Sequence, residues 1–307
     1  MPKPVLAITI RSFMLDEPAK RRLESHFTIG YVNSSGKRLS EPELVNAVRN
    51  ADAVIAGTEP FSGTVINAAP ELKVISRVGV GLDSVDLDAA SGRGIRVLVT
   101  AGSTVQPVAE HTLALILCLT KRVAEYSESA RKNEHGIKQA SLLRGKKAGI
   151  IGLGRIGSRV GELLSCLGCP VIFFDPFVSR PPDPRWEKAE SLNQLLSGAD
   201  IITLHLPAQK DQPPLLDREA FNQCRRGVII VNTARGSLVD EQALTDALGS
   251  GTVAGAGLDV TVKEPYSGPL LSFPRVIITP HVASNTTESR RAMEQEAVEN
   301  LIQAMTE

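Results

Sequence analysis

Lys147-Ala148-Gly149-Ile150-Ile151-Gly152-Leu153-Gly154-Arg155-Ile156-Gly157 is the stretch on which the fold turns. A short apolar run passes through glycines spaced G-x-G-x-x-G into Ser158-Arg159-Val160-Gly161-Glu162-Leu163-Leu164, which has helical spacing. A second run, Val171-Ile172-Phe173-Phe174, ends on Asp175, eighteen residues after Gly157. Strand, glycine turn, helix, strand and acid form a dinucleotide-binding pattern. Gly152 allows the tight turn, Gly154 lets backbone approach a pyrophosphate, and Gly157 lets the helix sit close to the sheet. Arg155 and Ile156 open the helix, whose N-terminus offers N–H groups and a positive dipole end to phosphates. Asp175 can accept hydrogen bonds from a ribose 2′-OH and would repel a 2′-phosphate, so NAD is expected rather than NADP. With 25 glycines a G-x-G-x-x-G can arise by chance; the flanking elements and the acid make this one specific.

The chain has 307 residues, enough for about two domains, and 42% of them are hydrophobic, enough for a sizeable core. Lysine and arginine total 34, aspartate and glutamate 34, with no long charge run. That balance lacks the basic footprint of a nucleic-acid or membrane-surface protein. Met1 to Ile10 turns polar too soon for a signal peptide, and no apolar run approaches a membrane span. A cytoplasmic protein with no nucleic-acid or membrane partner is expected. Of the four cysteines, Cys166 and Cys169 form a C-x-x-C with no second pair or nearby histidine, so no metal site is expected. Their place at the end of a helix, not at its start, makes them core or surface thiols.

Strands alternate with helices along the whole chain, which predicts α/β architecture with parallel sheets covered on both faces. Strands are expected at 4–10, 53–56, 72–75 and 95–99, with helices at 16–26, 40–50 and 64–69. Ser40-Glu41-Pro42-Glu43 opens the second helix with a capping serine, a first-turn proline and acids at the dipole's positive end. Thr100-Ala101-Gly102-Ser103-Thr104 looks like a linker. From Pro107 a single long helix is expected to about Lys132, with His111 near its start in a structural place. Further strands follow at 199–207, 227–233, 254–259 and 275–279, and helices at 241–249 and 288–305. Pro181-Pro182-Asp183-Pro184 is a surface loop.

Ligands of parallel sheets gather beyond the carboxyl ends of strands. Arg235, Glu264 and His281 all fall there in the second half of the chain. A histidine suits removal of a hydroxyl proton, a carboxylate can hold its tautomer, and an arginine fork can clamp a carboxylate. The same residues also suit a surface ion pair, a solvated loop acid and a satisfied core histidine. Similarly, Ser76-Arg77-Val78-Gly79-Val80-Gly81 is either an anion-facing loop or an ordinary glycine turn.

From about Val54 to Thr286 the chain resembles the D-2-hydroxyacid dehydrogenases, in particular their phosphoglycerate-dehydrogenase-like branch. Gly152 to Gly157 resembles the cofactor loop. Val231-Asn232-Thr233-Ala234-Arg235-Gly236 is similar to the segment with the catalytic arginine, Gly257-Leu258-Asp259-Val260 through Glu264-Pro265 to that with the glutamate, and Thr279-Pro280-His281-Val282-Ala283 to that with the histidine. The resemblance implies His281 as acid/base paired with Glu264, and Arg235 on the substrate carboxylate and keto oxygen. It implies Asp259 against the nicotinamide carboxamide, Pro207, Thr233 and Ala234 as further cofactor contacts, and Arg77 with the N–H groups of Val78 to Gly81 on the substrate. It implies two Rossmann-like or flavodoxin-like parallel-sheet domains. Residues 1–100 with 284–307 would form the substrate domain and 101–283 the NAD-binding domain, with catalysis in a cleft that closes to exclude water. A homodimer through the NAD-binding domain is also implied.

The reaction implied is hydride transfer between NAD(H) and a 2-hydroxy or 2-keto acid, with 3-phosphoglycerate one candidate. Departures from the branch bear on that choice. Gly57-Thr58-Glu59-Pro60 stands where phosphoglycerate dehydrogenases carry an arginine, although Arg77 matches another of theirs. Thr104 replaces a common asparagine, and Ala208 to Pro214 departs from the usual pattern after the His205-Leu206-Pro207 motif. Hydroxypyruvate or glyoxylate reduction, phosphite oxidation and a non-catalytic NAD-sensing role are the alternatives; a formate enzyme would pair its histidine with glutamine instead of Glu264.

Overall fold

A computed structural model of the chain describes residues 2–13, 17–134, 138–207 and 212–306. Asp16, where the first helix was expected to begin, and Ala208 to Asp211 of the atypical loop lie outside the described residues. The chain divides into two compact units, Met1–Thr104 with Asn285–Glu307, and Val105–Ser284.

The first unit contains β1 (Val5–Ile8), β2 (Thr28–Val32), β3 (Ala53–Ala56), β4 (Val74–Arg77) and β5 (Arg96–Val99), all parallel in the order β2-β1-β3-β4-β5. Successive residues of β1 and β3 supply opposite faces. Leu6, Ile8, Ala53 and Ile55 enter one core, while Ala7, Val54 and Ala56 enter the other. Burial on both faces is why these strands read as unbroken apolar runs. The outer strand β2 escaped the sequence reading because its segment, Thr-Ile-Gly-Tyr-Val, is an edge strand with alternating partial exposure. The helix Glu41–Val48 starts where its cap was expected; the Glu43 carboxylate accepts the Ser40 N–H at 2.7 Å. The C-terminal helix Thr287–Thr306 returns to this unit and buries Met293, Ala297, Val298 and Leu301 against the face formed by Leu6, Ile8, Ile55 and Val74.

The second unit contains β6 (Ala148–Ile151), β7 (Val171–Phe174), β8 (Glu187–Lys188), β9 (Ile201–Leu204), β10 (Val228–Asn232), β11 (Val253–Leu258) and β12 (Val276–Ile278). These form one parallel sheet in the order β12-β11-β10-β9-β6-β7-β8. The chain winds outward from β6 in one direction through β7 and β8, and in the other from β9 to β12. The reversal between β6 and β9 opens the crevice in which doubly wound sheets bind ligands, and the loops beginning at Gly152 and His205 stand on either side of it. Both parallel-sheet α/β units agree with the expected fold class.

The helix from Pro107 differs from expectation. It is two helices, Val105–Lys121 and Val123–Arg131, separated by Arg122 in the left-handed conformation (φ 55°, ψ 33°). Arg122 is held there by its guanidinium, which donates to the Glu125 carboxylate at 2.7 Å and to the Gln139 carbonyl at 3.1 Å. No glycine or proline stands at Lys121-Arg122-Val123, so the sequence gave no sign of the break.

Candidate active site

The three motif glycines have three distinct surroundings. Gly152 has φ 89°, and a Cβ there would lie 2.7 Å from Leu206 Cδ2 and 2.8 Å from the His205 carbonyl oxygen. A Cβ on Gly157 would fall on the Gly152 carbonyl oxygen, so the helix packs against the turn only because this residue has no side chain. A Cβ on Gly154 would meet no protein atom within 4 Å. Gly154 also caps the helix Arg155–Cys166 without a side-chain hydrogen bond, and the first i to i−4 bond there is Ser158 N–H to the Gly154 carbonyl. The N–H groups of Arg155, Ile156 and Gly157 precede that bond and suit a pyrophosphate. Asp175 follows β7 and accepts the Leu153 N–H (2.8 Å) on one oxygen and the Phe177 N–H (2.8 Å) on the other. It therefore ties the acid loop to the glycine loop, and each oxygen keeps acceptor capacity for a ribose hydroxyl. These residues fit a dinucleotide. Pro207 is exposed just beyond β9. His205 is partly buried, with Nε2 3.0 Å from Thr203 Oγ1, and burial pushes its pKa down to about 3.

Beyond β10, the Asn232 side chain bridges the loop that carries Arg235. Its amide donates to the Arg235 carbonyl at 2.8 Å and its oxygen accepts the Ala234 N–H at 3.0 Å. Arg235 is half-buried and donates from Nη1 to the Ala234 carbonyl at 2.7 Å. A Cβ on Gly236 would fall on the backbone of Thr261, so the loops after β10 and β11 meet here without side chains between them. The Thr233 hydroxyl lies 2.9 Å from that of Thr112, which back-bonds to the Val108 carbonyl.

The loops after β11 and β12 bring the acid and the histidine together. His281 Nδ1 lies 3.1 Å from Glu264 Oε2, with both side chains about half exposed. Beside them Thr261, Tyr266, Leu271, Ile278 and Pro280 line a mainly apolar cavity of about 420 Å³. Held by Glu264 at Nδ1, His281 has Nε2 as the nitrogen that can exchange a proton with a ligand. Its backbone is left-handed (φ 54°), and its N–H donates to the Asp259 carbonyl at 2.9 Å.

Asp259, only 1% exposed, acts in a way that sequence reasoning missed. Oδ1 accepts the Thr279 hydroxyl (2.6 Å) and the Val282 N–H (2.9 Å), and Oδ2 accepts the Ala283 N–H (2.8 Å). It mounts the whole histidine segment on the end of β11. Its partners are mostly backbone groups, which leave no trace in a sequence pattern.

In the first unit, the loop after β4 spends two of its four expected anion donors internally. Val78 N–H goes to the Ala56 carbonyl (2.8 Å) and Gly79 N–H to Thr100 Oγ1 (2.7 Å). The N–H groups of Val80 and Gly81 are the two that can serve an anion. The buried Arg77 guanidinium lies across Gly79, where a Cβ would collide with Nη1, and donates to the Val78 carbonyl at 3.1 Å. Cys166 is exposed and Cys169 buried; both are free thiols.

The comparisons with known proteins agree with this geometry. Residues 113–283 match the family described as D-isomer specific 2-hydroxyacid dehydrogenase, NAD binding domain. Over 256 residues the chain is 41% identical to D-3-phosphoglycerate dehydrogenase of Mycobacterium bovis, a match that covers 81% of this chain and 48% of that protein. The chain thus spans about half the length of the phosphoglycerate dehydrogenases it matches. It is 36% identical over 277 residues to glyoxylate reductase of Thermofilum pendens, covering 86% of this chain and 81% of that one. The crystal structure of the TT0316 protein from Thermus thermophilus superposes with a TM-score of 0.87 at 36% identity, covering 98% of this chain and 96% of that one. The cofactor loop, the strand-end residues and these relatives together show that the chain belongs to the D-isomer specific 2-hydroxyacid dehydrogenase family.

Proposed function

We propose that the protein is an NAD-dependent D-2-hydroxyacid dehydrogenase. The observation that carries this reading is the His281–Glu264 pair, held on the mount formed by Asp259 in the same unit as a glycine loop suited to a dinucleotide. NAD, when bound, would supply the acceptor for the hydride that leaves C2 of the hydroxy acid. His281 Nε2 takes the hydroxyl proton as the C2–O bond becomes a carbonyl, and Glu264 stabilises the resulting imidazolium through Nδ1–H. In the reductive direction the imidazolium returns that proton. Arg235 clamps the carboxylate. Asp259 keeps acceptor capacity on Oδ2 for the nicotinamide carboxamide, Thr233 and Ala234 border the same end of the cofactor, and Pro207 borders its ribose end. Val105–Ser284 would be the NAD-binding domain and the other unit the substrate domain.

The substrate we propose is a non-phosphorylated acid such as glyoxylate or hydroxypyruvate. Glu59 is 1% exposed, accepts the Gly57 N–H at 2.6 Å and lies in the field of Arg38 and Arg77. Burial pushes its carboxyl up, and those two arginines oppose the rise. The field of Glu59 acts on Arg77, so the arginine's charge is not wholly available to a phosphate. A Cβ at position 57 would lie 3.1 Å from both Glu59 oxygens, which crowds the place where the phosphoglycerate branch carries arginine. A homodimer is also proposed, supported by the exposed apolar residues Val123 and Leu142. Among the described residues no helix is long and apolar enough to cross a membrane. A cytoplasmic location is supported by the four free cysteines.

The test is NADH oxidation across 2-keto acids that include glyoxylate, hydroxypyruvate and its 3-phospho form. Turnover of the non-phosphorylated acids is expected at a kcat/KM at least about tenfold above that of the phosphorylated one, a difference of about 1.4 kcal/mol. His281→Ala should lower kcat by about a thousandfold and leave the Kd for NADH nearly unchanged. An active His281→Ala enzyme would remove the histidine from the mechanism, and a preference for the phospho acid would overturn the substrate class. Tight NADH binding with no turnover of any acid would favour a cofactor sensor.

A further inference from the structure

Behind the Glu264–His281 pair lies a second histidine with no part in the chemistry above. His111, in the second turn of the helix Val105–Lys121, places Nε2 3.0 Å from Thr279 Oγ1 and 3.5 Å from Asp259 Oδ1. Thr279 Oγ1 is in turn 2.6 Å from Asp259 Oδ1. These distances assign the protons. A hydroxyl has a single proton to donate, and a carboxylate has none. The Thr279 proton therefore goes to Asp259, and His111 must donate to Thr279 from Nε2–H, whether its ring is neutral or charged.

The row His111 to Thr279 to Asp259 ends on the segment that carries His281. Asp259 holds Val282 and Ala283 by their N–H groups, and its carbonyl holds His281 N–H. The His281 backbone is left-handed at φ 54°, a conformation that a residue with a side chain keeps only where its surroundings over-determine it. Hydrogen bonds in a row polarise one another, so the first donor strengthens the bonds beyond it.

We propose that His111 is a positioning residue. As an Nε2–H donor it fixes Thr279 and Asp259, and through them the backbone that aims His281 Nε2 at the reacting hydroxyl. This rests on the dehydrogenase reading. The role predicts an effect on turnover with little effect on binding, because His111 touches neither the acid nor the cofactor in this reading.

The experiment uses the whole 307-residue chain as wild type, His111→Ala, His111→Gln, Thr279→Val and the double variant His111→Ala/Thr279→Val. Steady-state kinetics with glyoxylate, NADH binding by fluorescence and 15N NMR of the histidine rings are measured on each. His111→Ala should lose about 10- to 100-fold in kcat, with KM for the acid and Kd for NADH within about threefold. His111→Gln, which keeps an N–H donor at similar reach, should recover most of that loss. Thr279→Val should match His111→Ala, and the double variant should be no worse than either, because both break one row. In the NMR spectrum His111 should carry its proton on Nε2, and that preference should vanish in Thr279→Val. Unchanged kcat in His111→Ala overturns the proposal, as does an equal loss in the Ala and Gln variants that follows their melting temperatures. If no acid turns over in the wild type, the dehydrogenase reading has failed by itself. The NMR result then still decides the row, and a His111 protonated on Nδ1 alone overturns it.

Discussion

Asp175 spends its carboxylate twice: on the Leu153 and Phe177 N–H groups of its own unit, and in our reading on a ribose hydroxyl. Removing the side chain would therefore confuse loop support with cofactor choice. Asp175→Asn keeps an acceptor for Leu153 and removes the charge that would oppose a 2′-phosphate. It should shrink the NAD over NADP ratio of kcat/KM by about tenfold or more, or about 1.4 kcal/mol. Asp175→Ala should in addition raise KM for both cofactors. An unchanged ratio in Asp175→Asn would mean that another group reads the ribose. His205 makes a different claim at the same scale. Its folded pKa of about 3 lies below the unfolded value of about 6.5, so between these limits the unfolded chain binds a proton that the native state refuses. Stability should fall as pH drops from about 6.5 toward 3, with a slope from this group approaching about 1.4 kcal/mol per pH unit. Urea midpoints at pH 7 and pH 5 would show a flatter fall in His205→Asn. Parallel falls in the two proteins would place the acid sensitivity elsewhere. The side chains proposed to carry the chemistry could be read in the sequence because they follow strand ends in recognisable company. The mount formed by Asp259, the bridge made by Asn232 and the internal use of the Val78 and Gly79 N–H groups were not visible, because each depends on where backbone groups point.

Among the elements, the turn between β6 and the helix Arg155–Cys166 makes the sharpest demand. Gly157→Ala places a methyl on the Gly152 carbonyl oxygen, and backbone cannot swing aside as a side-chain end can. It should cost about 3 kcal/mol, the upper end for overpacking, and weaken NADH binding because the first helical turn must shift. Gly154→Ala meets no protein atom within 4 Å, so its stability should be near wild type while NADH affinity falls. Equal melting temperatures for the two variants would contradict this division of labour. Most inner strands could be read as runs such as Ala53–Ala56 and Val228–Asn232 because both faces are buried. The short helices Leu87–Gly92, Leu192–Gly198 and Arg218–Gln223 went unread: six or seven residues carry too little periodicity, although Asp86, Ser191 and Asp217 cap them. The break at Arg122 went unread for another reason, since its support is a side chain reaching Gln139 far along the chain.

At the level of the whole molecule, Val105–Ser284 is one continuous stretch with its own seven-stranded sheet and core clusters on both faces. Expressed alone, residues 105–284 should fold cooperatively and bind NADH without turning over any acid; an unfolded fragment would show that this stretch depends on the other unit. The remaining unit is discontinuous. A chain truncated at residue 284 lacks the helix that covers Leu6, Ile8, Ile55 and Val74, so it should aggregate or melt early in its first transition while the second persists.

That discontinuity also sets an order of events on the ribosome. Synthesis delivers β1 to β5 before Val105–Ser284, yet Thr287–Thr306, which closes one face of their sheet, emerges only after that stretch. The intervening stretch of 180 residues, Val105–Ser284, can complete its own fold meanwhile. At about 5 to 20 residues per second, the early sheet waits on the order of ten to forty seconds with an apolar face uncovered. Through that uncovered face β1 to β5 should be open to chaperones and to neighbours on the polysome, and slower translation across residues 105–284 should lengthen the wait.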